Sequence, residues 1–416
     1  MQRSSFAKAF PLVAALTLAF FPQTGLARGF RVLHTFQGGF SNTDGAFPMP
    51  GLTIGADGNL YGVTQGGGNS GGCLLSGCGT VFKIAPGGDY SVLHRFTNMP
   101  DGAQPNGGIV ADKSGNLYGT TSEGGTDCQN DFIGCGTIFK LSSENAETVL
   151  YAFPSAGGPT AGLVRDKKGN LFGVLSGGGA TNLCGGRGCG MVFRLSPAGE
   201  LKILYEFKGG TDGIGPEGSL IRDDAGNLYG VTSGGGRGNC ENGCGTVFKV
   251  DVHGNETVIY AFKGRNDGRA PMGPLIRDKA GNLYGTTRSG AVPHYGCGTV
   301  FKVTPDGVET ILHNFTSGNE RTREIEPFSS LAMDAAGNLY GTALVGGGSS
   351  CGGGGCGTIF RIAPDGTETV LHSFNGSDGG GPLGLIIDRH GNLFGVTSGG
   401  GAGLGVVFEQ ETGTGE

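Results

Sequence analysis

Short apolar runs, each bounded by turn residues, follow one another along the chain from about residue 30 to residue 410. The runs are rich in Val, Ile, Leu, Thr and aromatic residues, a composition typical of β-strands. Four such runs occur in order at 218–222, 227–232, 246–250 and 256–262, and we name these positions A to D. Asp-x-x-Gly joins A to B and a tight turn joins C to D, so the pattern predicts four short antiparallel strands.

This four-strand unit occurs seven times. Its clearest marker is Gly-Asn-Leu-Tyr/Phe-Gly, which recurs every 54 to 57 residues. Two further markers, Gly-Cys-Gly-Thr-Val-Phe-Lys and Pro-x-x-x-Leu/Ile, recur in register with it. A period of this length fits the blade of a propeller, whereas the rungs of a β-helix are much shorter. The asparagines of the first marker are Asn59, Asn116, Asn170, Asn227, Asn282, Asn338 and Asn392.

A fourth marker, Val-Leu-His/Tyr-x-Phe, is displaced along the chain. One copy, residues 32–36, precedes the first repeat, and the last repeat stops after its third strand at Val407-Phe408. A ring needs this displacement, because a strand from the N-terminus then completes the last blade and leaves few free sheet edges. We therefore predict an all-β fold, a seven-bladed β-propeller of four-stranded antiparallel blades over residues 28–411. Residues 30–36 complete blade 7, and residues 412–416 form a disordered tail.

The four markers together resemble the GloVer, or Gloeo/Verruco, tandem repeat of exported bacterial proteins. The resemblance covers about residues 30 to 410 and rests on Gly-Asn-Leu-Tyr-Gly, a Gly-Gly-Gly loop, Gly-Cys-Gly-Thr-Val-Phe-Lys and Glu-Thr-Val-Leu-His-x-Phe. It implies export and a propeller-like repeat fold, and it implies no catalytic residues.

The N-terminus has the pattern of a signal peptide over residues 1–27. Arg3 and Lys8 precede an apolar stretch, and Gly25-Leu26-Ala27 supplies a cleavage site. Removal of this segment leaves 27 basic against 35 acidic residues, a balance that disfavours binding to nucleic acid. We therefore expect a secreted, periplasmic or cell-surface protein, with no membrane insertion after the signal is removed.

Export places eleven cysteines in an oxidising compartment, where most should pair. Five B–C loops carry two cysteines each, and a zinc site would need two further ligands in each loop. Cys297 has no partner in its loop, so we predict a free thiol that is a leftover, partly buried residue. The alternatives are an intermolecular crosslink and a reactive group together with the nearby His294. The predicted disulfides are Cys73–Cys78, Cys128–Cys135, Cys184–Cys189, Cys240–Cys244 and Cys351–Cys356.

The B–C loops and the crossovers from D to the next A emerge on one face, where we expect the working surface. The residue after each repeat proline should lie just before strand A and ring the mouth of the central funnel. Unlike its surroundings this position varies, which suits ligand binding, although an unconstrained site would vary too. The seven residues are Met49, Asn106, Thr160, Glu217, Met272, Phe328 and Leu383.

Five crossovers contain Asp-Gly. The carboxylates could form a ring that holds Ca²⁺, the one cofactor that the sequence suggests. Alternatively, Asp-Gly is only a turn dipeptide. The aspartates are Asp44, Asp101, Asp212, Asp267 and Asp378.

These features predict a non-enzymatic binding or interaction module that acts through the loop and crossover face. We expect a monomer with an extracellular protein or glycan ligand. An extracellular glycan hydrolase or lyase and a purely structural surface protein are the alternatives. The absence of tryptophan and of a carboxylate pair that departs from the repeat disfavours glycan turnover.

Overall fold

The computed structural model describes residues 29–38, 43–68, 73, 77–125, 135–154, 158–180, 183–264, 267–290, 297–315, 327, 330–347, 351, 355–401 and 403–412. Within these residues seven antiparallel sheets form the blades of a propeller. The predicted signal peptide lies outside the described residues, as does the tail beyond Thr412. Across the same residues the only helical element is a 3₁₀ turn at Cys184–Gly186, and no helix is long and apolar enough to cross a membrane.

The first strand, β1, belongs to the last blade, and the next three blades follow it in chain order. The strand is β1 (Phe30–Thr35). Blade 1 contains β2 (Gly45–Pro48), β3 (Thr53–Ile54), β4 (Leu60–Gly67), β5 (Thr80–Ile84) and β6 (Tyr90–Arg95). Blade 2 contains β7 (Ala103–Pro105), β8 (Val110–Ala111), β9 (Leu117–Glu123), β10 (Thr137–Leu141) and β11 (Glu147–Ala152). Blade 3 contains β12 (Val164–Arg165), β13 (Leu171–Leu175), β14 (Met191–Leu195) and β15 (Leu201–Glu206).

The remaining blades repeat this order. Blade 4 contains β16 (Gly213–Arg222), β17 (Leu228–Gly235), β18 (Thr246–Val250) and β19 (Glu256–Ala261). Blade 5 contains β20 (Arg269–Pro271), β21 (Ile276–Arg277), β22 (Leu283–Ser289), β23 (Thr299–Val303) and β24 (Glu309–Asn314). Blade 6 contains β25 (Ala332–Met333), β26 (Leu339–Ala343), β27 (Thr358–Ile362) and β28 (Glu368–Ser373). Blade 7 contains β29 (Gly380–Ile387), β30 (Leu393–Gly399) and β31 (Val406–Gln410), and β1 is its fourth strand.

The predicted closure of the ring is confirmed. Strand β1 pairs antiparallel with β31, in a register that runs from Phe30 opposite Gln410 to Thr35 opposite Val406. The N–H of Phe36 extends this pairing by donating to the carbonyl of Gly405 at 3.1 Å. The strand nearest the N-terminus and the strand nearest the C-terminus therefore complete one sheet.

Strand A begins earlier than its sequence predicts. In blade 4 it spans Gly213–Arg222 instead of residues 218–222, and in blades 1, 2 and 5 it is split into two segments. The early segment contains proline and residues with positive φ, such as Phe47, Gln104 and Ala270 at 56°, 52° and 51°, so it lacks a strand pattern. The N–H group of each of these three residues donates to a carbonyl in the preceding blade. The acceptors are Leu404, Cys78 and Cys244, at 2.8 to 2.9 Å.

A phenylalanine pair joins every two neighbouring blades. The phenylalanine that follows strand D meets the phenylalanine of strand C in the next blade, with centroids 5.0 to 5.8 Å apart in edge-to-face geometry. All fourteen rings are buried. Each pair therefore stabilises the fold by about 1 kcal/mol in addition to the effect of the apolar area that it removes from water. The pairs are Phe36–Phe82, Phe96–Phe139, Phe153–Phe193, Phe207–Phe248, Phe262–Phe301, Phe315–Phe360 and Phe374–Phe408.

The glycine after each strand-B aromatic makes room for a ring of its own blade. Gly230 pairs with Phe248 across the sheet, and a Cβ at Gly230 would lie 2.6 Å from Cζ of Phe248 and 2.9 Å from Leu220. The glycine thus lets the strand-C phenylalanine lie flat in the position from which it reaches the preceding blade.

We expect Gly230→Ala to destabilise the protein by about 2 kcal/mol or more, because Phe248 is fully buried and cannot move away from an added methyl group. Thermal or urea unfolding would measure the loss. Gly87→Ala is the matched control, since nothing lies within 4 Å of its added Cβ. Equal unfolding free energies for the two variants would contradict this account of the glycine.

Candidate functional site

A cavity of about 180 Å³ lies on the propeller axis, where strand A is interrupted or shifted in register. Six of the seven residues that follow the repeat prolines line it, and Phe328 lies outside the described residues. Met49, Asn106 and Met272 lie between the two segments of a split strand A, as Met49 does between β2 and β3. Glu217 and Leu383 lie within the continuous strands β16 and β29, and Thr160 precedes β12. The six lining residues are Met49, Asn106, Thr160, Glu217, Met272 and Leu383.

Glycines keep the ring narrow at this level. A Cβ on Gly51 would lie 2.5 Å from Cα of Gly108, and a Cβ on Gly107 would lie 2.1 Å from the backbone N of Gly162. Backbones of neighbouring blades therefore touch beside the variable residues. The cavity has room for only about six water molecules, so it admits a small ligand or a single group of a larger one.

Glu217 is the only ionisable residue in the described lining of this cavity. Its neighbours in the lining are apolar or uncharged, and they include Met49, Met272 and Leu383. Burial of the carboxyl group raises the pKa of Glu217 to about 7 from its usual 4.5, and no nearby charge contributes. A positive charge or a hydrogen-bond donor in the cavity would therefore interact favourably with the carboxyl group of Glu217.

The five Asp-Gly aspartates are tied to strand D of the preceding blade. Each accepts a hydrogen bond from the His or Tyr near the end of that strand, at 2.8 to 3.3 Å. Each also accepts from a backbone N–H at the end of the strand, as Asp212 does from Lys208 at 2.8 Å. Within the described residues, no group of three or more His, Cys, Asp or Glu could hold a metal ion. The side-chain pairs are His34–Asp44, His94–Asp101, Tyr205–Asp212, Tyr260–Asp267 and His372–Asp378.

Glutamates that begin strand D lie close to these aspartates. Burial, followed by the charge of Asp212, raises the pKa of Glu256 to about 7. Glu309 has the same environment beside Asp267, and its pKa is also about 7. Burial, with a smaller contribution from Asp101, likewise raises the pKa of Glu147 to about 7. The outer edges of these blades therefore hold carboxyl groups that take up protons near neutrality.

Four of the predicted disulfides are formed in the structure, Cys73–Cys78, Cys184–Cys189, Cys240–Cys244 and Cys351–Cys356. Cys135 is disulfide-bonded as well, whereas Cys128 lies outside the described residues. In four loops the carbonyl of the second cysteine accepts the hydrogen bond from the next blade's strand A, at 2.8 to 2.9 Å. Each of these disulfides therefore fixes an acceptor that joins two blades.

Cys297 is free and fully buried. It occupies the position of the second cysteine and packs in an apolar cluster with Val300, Phe315 and Leu331. His294, the suggested partner for a reactive thiol, lies outside the described residues. A thiol enclosed by apolar side chains is inert in the folded protein.

A second and larger cavity, of about 650 Å³, lies between blades 7 and 1 on the face of the short A–B and C–D turns. We call it the seam groove. Ile54, Asp57 and Pro86 of blade 1 line one side, and Asp388 and Phe394 of blade 7 line the other. Sequence reasoning directed attention to the opposite face and missed this groove. The corresponding position is Arg165, Arg222 and Arg277 in repeats 3 to 5 but Ile54, Ala111, Met333 and Ile387 in the other four, so the sequence alone does not single out repeat 1.

A family model described as the Gloeobacter/Verrucomicrobia repeat matches residues 20–185, 129–353 and 293–416. No curated protein matches the chain. Among solved structures, a structural-genomics target provisionally assigned as a gluconolactonase is 14% identical, with 93% of this chain and 94% of that chain covered and a TM-score of 0.45. A gluconolactonase from Xanthomonas campestris is 14% identical, with 93% of this chain and 90% of that chain covered and a TM-score of 0.44. Similarity this low carries no activity over to the present chain.

The raised carboxyl pKa values predict that stability falls as the pH rises. Between pH 4.5 and 7 the folded chain holds protons on Glu147, Glu217, Glu256 and Glu309 that the unfolded chain has released, so the free energy of unfolding decreases across this range. The contribution of Asp44 to stability changes with pH in the opposite direction. Hydrogen bonds, His34's foremost, outweigh burial and lower its pKa to about 2, so its contribution is lost only below about pH 4.

Melting temperature should therefore peak near pH 4 to 5 and decline towards pH 8. Glu256→Gln should reduce the slope of the unfolding free energy against pH by up to about 1 kcal/mol per pH unit, because it removes one titrating group. Glu200→Gln, at an exposed position, is the control and should leave the profile unchanged. A Glu256→Gln profile that parallels the wild type would refute the assignment.

We expect the native protein to give no reaction with a thiol reagent and the denatured, unreduced protein to give a single thiol per chain, that of Cys297. Cys297→Ala should abolish the signal from the denatured protein. Rapid labelling of the native protein would show instead that this thiol is accessible.

Proposed function

The chain belongs to the Gloeobacter/Verrucomicrobia repeat family, and on that premise we propose that it is an exported propeller that binds a ligand without transforming it. The binding site is the central cavity, with the B–C loop and crossover face as the surrounding surface. Its place of action is the periplasm, the cell surface or the medium. The disulfides in the B–C loops support an oxidising location.

The observation that carries this proposal is the environment of Glu217. The repeat frame is nearly invariant around it, yet the cavity-facing position differs from blade to blade. A carboxyl group in an apolar cavity without an opposing charge is costly for folding, as its raised pKa of about 7 reflects. Such a group is typical of a binding site, because a ligand that brings a positive charge or a donor removes the cost.

The cavity favours binding over glycan turnover. Glycoside hydrolysis uses two carboxyl groups about 5 to 10 Å apart, one as acid and one as base or nucleophile. The described lining offers Glu217 alone. Its neighbours Asn106 and Thr160 can donate and accept hydrogen bonds but cannot act as the second carboxylate.

Thermal-shift measurements on the purified protein would test the proposal with three sets of probes: methylammonium to trimethylammonium, soluble oligosaccharides, and Ca²⁺. We expect one of the small ammonium ions to raise the melting temperature, and Glu217→Gln to abolish the shift because it removes the only charge in the described lining. Without ligand, Glu217→Gln should be at least as stable as the wild type at pH 8, since it removes a buried ionised group.

Glu200→Gln, at an exposed position, is the matched control and should keep the full shift. Release of reducing ends from an oligosaccharide would establish the glycan hydrolase or lyase alternative instead. No shift with any probe, or a shift that survives Glu217→Gln, would refute binding at this carboxyl group, and the first result would favour a structural surface protein.

A further inference from the structure

Three arginines bridge neighbouring blades on the face of the short turns. The guanidinium groups of Arg165, Arg222 and Arg277 lie 5.3, 5.9 and 5.8 Å from the ring centroids of Tyr118, Phe172 and Tyr229 in the preceding blade. Each also faces an aspartate of that blade. Arg165 lies 3.8 Å from Asp112. Against the effect of burial, hydrogen bonds from Asn170 and Asn227 lower the pKa of Asp166 and of Asp223, and the charges of Arg222 and Arg277 lower them further. The fold therefore contains a repeated slot that holds a guanidinium group between a ring and a carboxylate.

Blade 7 has the ring and the carboxylate of this slot. In blade 3, Asn170 donates to Asp166 from its backbone N–H and its side-chain amide, at 2.9 and 2.8 Å. In blade 7, Asn392 binds Asp388 in the same way, at 2.8 and 3.1 Å. Both blades have phenylalanine where most have tyrosine, Phe172 in one and Phe394 in the other, so neither aspartate receives a phenol hydrogen bond.

The seam groove lacks the arginine that fills this slot in blades 3 to 5. Position 54 of blade 1, which corresponds to Arg222 of blade 4, is isoleucine, and Ile54 remains 37% exposed. Phe172 is only 7% exposed under Arg222, whereas Phe394 is half-buried and lines the groove. The ring that corresponds to Phe172 is therefore partly exposed at the seam, and the half-buried Asp388 lines the groove beside it.

The charged side chains that line the seam groove give it a net negative charge. Its described lining contains Asp57, Asp388 and Glu409 against Arg31 and Arg389, one negative charge in excess. Arg31 is paired with Glu409. Arg389 is exposed on its turn, and its Nε donates to Nε2 of His390 at 3.0 Å. Among the described contacts neither arginine lies over Phe394.

We propose that the seam groove binds the guanidinium group of an arginine on an extracellular partner protein. The group lies over Phe394 and faces Asp388, as Arg222 lies over Phe172 and faces Asp166. Exposed Ile54 and the rest of the groove, which at about 650 Å³ is far larger than a guanidinium group, receive the residues that flank the arginine. This site is separate from the cavity at Glu217 and does not depend on it.

The test uses the tripeptide acetyl-Gly-Arg-Gly-amide and its lysine and citrulline analogues, titrated into the purified protein and followed by saturation-transfer NMR and calorimetry. The arginine peptide should bind with a dissociation constant on the order of 1 mM. The lysine peptide should bind several-fold more weakly, and the citrulline peptide, which has a similar shape but no charge, should not bind measurably.

Ile54→Arg supplies the missing arginine from within the chain. It should weaken binding of the arginine peptide at least tenfold and raise the melting temperature, while Ile54→Leu, the control, should leave both unchanged. Asp388→Asn should weaken binding tenfold by removing the charge. Undiminished binding to Ile54→Arg, equal binding of the arginine peptide and either analogue, or no binding of the arginine peptide at 10 mM would each overturn the proposal. Glu217→Gln should have no effect on this titration, so the two sites can fail independently.

Discussion

The pairing of β1 with β31 is the constraint on which the rest of the ring depends. Each blade buries its two faces against its neighbours, so a gap between any two blades would expose the phenylalanine pair that joins them. Rings flank β1 on both sides. Phe30 stacks on His372 of blade 6 with centroids 3.8 Å apart, and His34 stacks on Tyr90 of blade 1 at 3.6 Å. At four of the other junctions the residue equivalent to Phe30 or Tyr90 is a glutamate. The two junctions that β1 makes thus replace carboxyl groups with aromatic contacts.

Repetition explains which parts of the fold the sequence predicts. Strand C of blade 4 spans the predicted residues, and strand D differs from its prediction by one residue, because Val, Ile and Phe occur there in the same register seven times. The start of strand A was missed for a physical reason. Residues such as Phe47 adopt positive φ and their N–H groups reach the preceding blade, so this geometry depends on a neighbouring blade that the local sequence does not show.

The candidate sites are departures from the repeat, and they were predicted unequally. The variable position after the repeat proline identified Glu217 from the sequence, although its place at the register shift of strand A and the pKa of its carboxyl group required the structure. The seam groove was missed because a missing arginine carries no pattern of its own. Only the contacts of Arg222 with Phe172 reveal what Ile54 lacks. A rigid frame repeated seven times tolerates such substitutions, since the phenylalanine pairs at every junction do not involve them.

The order of the strands in blade 7 also determines when the protein can finish folding. Its first strand to leave the ribosome, β1, remains unpaired until β31 is made, and β31 begins only at residue 406. Blades 1 to 6 can each form from contiguous chain, but the circle closes only after the last segment has crossed the membrane, if export occurs as proposed. A chain cut short before residue 406 would leave β1 unpaired beside an open sheet edge, a surface prone to aggregation and attack by proteases. Closure thus distinguishes chains that contain β31 from chains that end before it, without any additional factor.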